Sequence, residues 1–116
     1  MIAPIPGSEF SVGVHANGTV EIVVVRGEVD IATADAVRAE LDAACGRSDN
    51  VVLDLREVSF MDTQGLAVVI EAQRACAGGG TRFAITRAPD HVHRLFEMIG
   101  LTSRLTVLDD PAAAAS

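Results

Sequence analysis

Apolar residues recur along this chain in short blocks whose period switches between two and about 3.6, and each switch marks a boundary between elements. From Glu9 to Ala16 the side chains alternate loosely, and from Thr19 to Val25 β-branched residues dominate. Asn17-Gly18 stands between them, a strong short-range hairpin signal that predicts an opening antiparallel pair. Thr33 is placed to cap a helix with the face Val37, Leu41, Ala44 and Cys45. Asp35 falls in its first turn, where the helix dipole favours an acid, and Gly46 can close it. Asn50–Leu55 is a short apolar run of the kind that forms a central strand covered on both sides.

Arg56–Met61 reads as a loop leading to Asp62, after which Leu66, Val69, Ile70, Gln73 and Cys76 follow the helical period as far as Gly78-Gly79-Gly80. Arg82–Thr86 is a further strand. Pro89-Asp90 opens a third helix with the face Val92, Leu95, Phe96 and Ile99, which Gly100 closes as a left-handed cap with Leu101 set against Phe96. Leu105–Leu108 is a short last strand. The predicted order is β-β-α-β-α-β-α-β: one α/β domain over residues 1–116 with three main helices on a mixed, mostly parallel sheet. Residues 1–8 are expected to be a lead-in and 109–116 a flexible tail.

Composition narrows the function. The chain has 116 residues, 49% of them hydrophobic, enough for one core and too few for two. No apolar run approaches a bilayer span, and Met1–Phe10 lacks the basic and apolar regions of a signal peptide, so a cytoplasmic location away from membranes is expected. The formal charge is −7 and there is no Tyr or Trp, which argues against nucleic acid as a partner and favours proteins. All nine basic residues are Arg, so lysine-dependent phosphate loops, Schiff bases and Ser-Lys nucleophile pairs are excluded. Cys45 and Cys76 each fall on the apolar face of a predicted helix and read as buried free thiols.

Few residues suggest chemistry. Asp30, Asp54 and Asp62 fall near predicted strand ends, where α/β sheets place ligands, and together could hold Mg²⁺ or accept a phosphoryl group. Capping and turn roles explain the same residues, and the lysine that would complete a receiver-type phosphoaspartate site is missing. His91 and His93, two apart, read as a solvated pair at a helix start, and they share no metal-ligand spacing with His15. Gly78-Gly79-Gly80 follows a helix and precedes a strand, the wrong order for a phosphate cradle. No catalytic constellation, metal site or cofactor motif is expected, and the chain is read as a binding protein rather than an enzyme.

Asp62-Thr63-Gln64-Gly65 has two readings. Thr63 falls at or just inside the first turn of the second helix, near unpaired N–H groups and the positive end of the dipole. It is either an ordinary polar residue at a helix start or a phosphorylation point. A phosphate there adds about −1.5 to −2 charges, which the helix end tolerates and a docked apolar or acidic surface does not.

Three stretches resemble the STAS-domain anti-sigma factor antagonists. They are Arg26-Gly27-Glu28-Val29-Asp30-Ile31-Ala32-Thr33-Ala34; then Val52-Leu53-Asp54-Leu55 with Val58, Phe60-Met61-Asp62 and Gly65-Leu66; then Gly79-Gly80 through Val92, Leu95 and Phe96 to Gly100-Leu101. The resemblance implies a STAS-like fold and a partner-switching role. The unmodified protein would bind an anti-sigma factor that is itself a kinase of histidine-kinase-like ATPase fold, releasing a sigma factor. Phosphorylation at Thr63 would end binding, and a phosphatase would restore it. It also implies that Asp30, Asp62, Thr63, Gln64 and Gly65 meet the partner. Where the family has Asp-Ser-Ser-Gly or Asp-Ser-x-Gly, this chain has Asp-Thr-Gln-Gly, which keeps the hydroxyl and adds a methyl group that restricts its rotamer. A second reading within the same architecture is a scaffold or accessory subunit of a sensory or transporter complex.

Overall fold

The computed structural model describes residues 10–115; the lead-in at 1–8 and Glu9 lie outside them. Strand β1 (Ser11–Asn17) turns back antiparallel on β2 (Val20–Val29). The turn residues are Gly18-Thr19, one position later than expected, with Asn17 paired to Val20 and Gly18 at φ +64°. Helix α1 (Ala34–Arg47) leads to β3 (Asn50–Met61), α2 (Thr63–Gly78), β4 (Arg82–Thr86), α3 (Asp90–Met98) and β5 (Thr106–Leu108). The five strands lie side by side in chain order, and every pair after the hairpin is parallel. The predicted element order and the mixed sheet are those observed.

Parallel connections that share one hand and advance in one direction across a sheet leave their helices on the same face. The core reflects this. One large cluster joins Val23, Val25, Leu53, Leu55 and Ile85 of the sheet to Val37, Leu41 and Ala44 of α1, Val68, Val69 and Ala72 of α2, and Val92 and Phe96 of α3. The opposite face carries a small cluster, Val20, Ile22, Val52 and Ala84. Helices therefore cover one side of β3, not both. On the other side the segment expected to be a flexible tail forms a 3₁₀ helix, Pro111–Ala115, with Pro111 buried and the Ala114 carbonyl accepting from Asn50 Nδ2 at 3.2 Å.

Four local expectations are corrected. Arg56–Met61 is strand, not loop: β3 runs on beside β2 to the pair Val29↔Met61. Gly46 lies inside α1, which ends at Arg47. His93 is not solvated but buried beside Phe96, whereas His91 is exposed with its Nε2 2.6 Å from the Ser59 carbonyl. Cys45 and Cys76 are not free thiols; they are joined in a disulfide between α1 and α2. At Gly100, φ is +75°, the left-handed conformation anticipated for the end of α3.

Asp54 is 4% exposed on the sheet face opposite the helices. Burial alone would push its carboxyl up. The Arg56 guanidinium and backbone N–H, with the Thr86 hydroxyl, outweigh burial and hold it below the usual carboxylate range. The unfolded chain then takes up the proton first as pH falls. The contribution of Asp54 to stability is complete above about pH 4 and is lost as pH drops through its lowered folded value. Asp54→Asn should cost about 1–3 kcal/mol at pH 7, because Arg56 loses a charged acceptor. It should also flatten the fall in urea midpoint between neutral pH and about pH 3, and an unaltered acid slope in that variant would refute the assignment.

Candidate functional site

A polar surface lies where β2 and β3 end and α1 and α2 begin. Because Val29 pairs with Met61, Asp30 and Asp62 leave adjacent parallel strands side by side, and the Asp62 N–H donates to the Val29 carbonyl at 3.2 Å. Each aspartate then organises its own turn. The Asp30 carbonyl accepts from Thr33 N at 3.1 Å and Ala34 N at 2.8 Å, and its Oδ1 accepts from Ala32 N at 2.9 Å. The Thr33 hydroxyl donates to the Glu28 carbonyl at 2.8 Å and accepts from Asp30 N at 3.0 Å. Thr33 precedes α1 as expected, but its side chain braces the turn and caps no helical N–H.

Asp62 caps α2: its Oδ1 accepts from Gln64 N at 2.8 Å and Gly65 N at 3.3 Å. Such a cap contributes about 1 kcal/mol relative to alanine. Thr63 is the first residue of the helix, exposed, and its hydroxyl makes no hydrogen bond among the described residues. Gln64 is exposed beside it. Gly65, expected among the partner-facing residues, has a packing role in this fold. It is buried against the strand ends, and a Cβ built there would lie 2.4 Å from Met61 Cγ and 3.0 Å from Val29 Cγ1. Its missing side chain lets α2 sit down on β2 and β3, so it sets the position of Thr63 from below.

Two apolar residues, quoted above only as part of the resemblance and not among the expected partner contacts, join this surface. Ile31, in the Asp30 turn between β2 and α1, is 78% exposed, and Phe60, opposite Glu28 near the end of β3, is 45% exposed. Reading 56–61 as strand would have exposed the signal, since Phe60 and the buried Met61 are successive and must face opposite ways. Asp54 is absent from the group. It precedes Asp62 by eight residues of extended chain, about 26 Å at strand rise, and points into its own network. Asp30, Asp54 and Asp62 therefore do not converge as a Mg²⁺ or phosphoaspartate triad would require.

The arrangement presents, among the described residues, an exposed hydroxyl without a hydrogen-bond partner at a helix N-terminus, two aspartates committed to backbone turns, and exposed apolar side chains at the ends of β2 and β3. Such a surface is suited to docking.

Residues 12–109 match the family model described as Mlab, STAS domain. An anti-sigma F factor antagonist from Paenibacillus polymyxa is 33% identical, the match covering 86% of this chain and 86% of that protein. Among solved structures, an anti-sigma factor antagonist from Mycobacterium paratuberculosis superposes with a TM-score of 0.84 at 23% identity, over 97% of this chain and 96% of the other. The Bacillus cell fate determinant SpoIIAA, in its phosphorylated form, superposes with a TM-score of 0.70 at 19% identity, over 90% and 96%.

Proposed function

The chain belongs to the STAS-domain family of anti-sigma factor antagonists, and from that membership we propose that it docks on an anti-sigma factor through the Asp30–Ile31 turn, Phe60, Asp62, Thr63 and Gln64, thereby releasing a sigma factor. Like the antagonists of that family, it is a binding protein and not an enzyme. The anti-sigma factor has a histidine-kinase-like ATPase fold and phosphorylates Thr63, and a phosphatase reverses the modification. The exchange takes place in the cytoplasm.

The observation that carries this reading is the exposed Thr63 hydroxyl at the first position of α2, which makes no hydrogen bond among the described residues, together with the exposure of Ile31 and Phe60 at the neighbouring strand ends. The dipole of α2 favours a phosphate at that point. However, Asp62 Oδ1 already occupies the N–H groups of Gln64 and Gly65, so the phosphate finds few donors of its own and adds its charge beside an existing carboxylate. The added charge therefore stays at the surface, where a partner must cover it. That is how a modification tolerated by the fold becomes intolerable at the interface.

The test is incubation of the whole chain with ATP and each candidate anti-sigma kinase from the same genome, followed by mapping of the modified residue. Thr63 should carry the phosphate, and Thr63→Ala should take up none. Modification at another hydroxyl, or capture of transporter subunits instead of a kinase-fold partner, would overturn the proposal.

A further inference from the structure

The disulfide lies away from the docking surface, at the other ends of the same helices. Cys45 is in the last turn of α1 and Cys76 in the last turn of α2, with their Cα atoms 5.4 Å apart. That spacing suits a bridge without backbone movement. The two sulfur-bearing residues differ in access: Cys76 is fully buried and Cys45 only partly. Thr81 holds both backbones in place without help from the bridge. Its N–H donates to the Cys76 carbonyl at 2.8 Å, and its hydroxyl lies 3.2 Å from the Cys45 carbonyl and 3.0 Å from that of Ser48. The faces of α1 and α2 also meet through Val37, Leu41, Ala44, Val68, Val69 and Ala72, none of which depends on sulfur. These contacts would keep the two thiols adjacent if the bridge opened.

We propose that Cys45 and Cys76 are a thiol–disulfide exchange site for low-molecular-weight thiols of the glutathione class, with Cys45 as the sulfur that meets the incoming thiol and Cys76 as the internal resolving sulfur. In opening, a thiolate attacks Cys45 sulfur, a mixed disulfide forms there, and Cys76 leaves as a thiolate that takes up a proton. A second thiol attacks the small molecule's sulfur and frees Cys45. The net change is two small thiols oxidised to their disulfide while the protein gains two hydrogens. Closure is the reverse, with the small disulfide as oxidant. The bridge closes a loop over a sequence separation of 31, so opening it releases a substantial constraint on the unfolded chain. Oxidation state thus sets the stability of the helix pair whose second member presents Thr63.

The reduced full chain is mixed with glutathione disulfide and followed by intact mass and thiol alkylation. The wild type should lose two hydrogens and retain no adduct. Reduced Cys76→Ser should accumulate one glutathionyl group on Cys45, and reduced Cys45→Ser should react at least about tenfold more slowly, since Cys76 is enclosed. The oxidised wild type should melt roughly 10 °C or more above the reduced form, and neither variant should respond to reductant. Circular dichroism should match reduced wild type in both variants, with Cys45→Ala and Cys76→Ala as replacements for any serine variant that does not. Equal adduct rates in the two variants, a persistent adduct on wild type, or a melting point indifferent to reduction would each overturn the proposal.

Discussion

Thr63→Glu is expected to weaken binding to the anti-sigma factor at least about tenfold in a titration, equivalent to about 1.4 kcal/mol, while Thr63→Ala binds like the wild type. The fold should not register the acidic change as damage. Thr63 is exposed at the first position of α2, where a negative side chain meets the positive end of the dipole, so the melting temperature should hold or rise slightly. The interface is the place where it costs. Asp30 and Asp62 already lie beside Thr63, and exposed Ile31 and Phe60 supply the apolar contact a partner would bury. A further carboxylate must be stripped of water against that surface or left opposite an acidic neighbour. Intact folding with lost binding is the signature of a switch at this position. Equal binding by both variants would remove Thr63 from the interface.

Much of this architecture was legible because the hydrophobic period switches cleanly at most element boundaries. Arg82–Thr86 and the end of α3 at Gly100 were read as they stand. The start of α2 was legible for a local reason: an aspartate followed by a helical pattern is a cap, whatever lies around it. The second half of β3 was not, because strand pairing there is irregular. Register shifts between Val24 and Arg26 and between Gly27 and Glu28 break the period of two, leaving Val58 and Met61 both inward though three apart. The disulfide was hidden because its distance is tertiary: each cysteine looked like a core residue of its own helix, and only the packing of α1 on α2 joins them. His93 was misread for a similar reason. Spacing alone left it paired with His91, but α3 turns Val92, His93 and Phe96 inward as one face.

Gly65→Val should be the most damaging single change near the docking surface, costing about 3 kcal/mol or more, with Gly65→Ala costing roughly 1–2 kcal/mol. Helix propensity argues the other way, since alanine gains up to about 1 kcal/mol over glycine inside a helix. Sterics decide the sign. A Cβ at Gly65 would lie 2.4 Å from Met61 Cγ and 3.2 Å from its Sδ, and 3.0 Å from Val29 Cγ1. Met61 can change rotamer, but it is 4% exposed and has little space to enter, while Val29 is β-branched, stiff and 2% exposed. The easier relief is for α2 to lift, which stretches the bond from Gly65 N to Asp62 Oδ1 and carries Thr63 away from the Asp30 turn. Stability and partner binding should therefore fall together in this variant, unlike in Thr63→Glu, where only binding falls. Met61→Ala opens space under the helix, so the double variant Gly65→Ala, Met61→Ala should be more stable than the two separate losses predict, by at least about 1 kcal/mol in urea unfolding. Additive losses would mean that Gly65 does not seat the helix on Met61, and the position of Thr63 would need another cause.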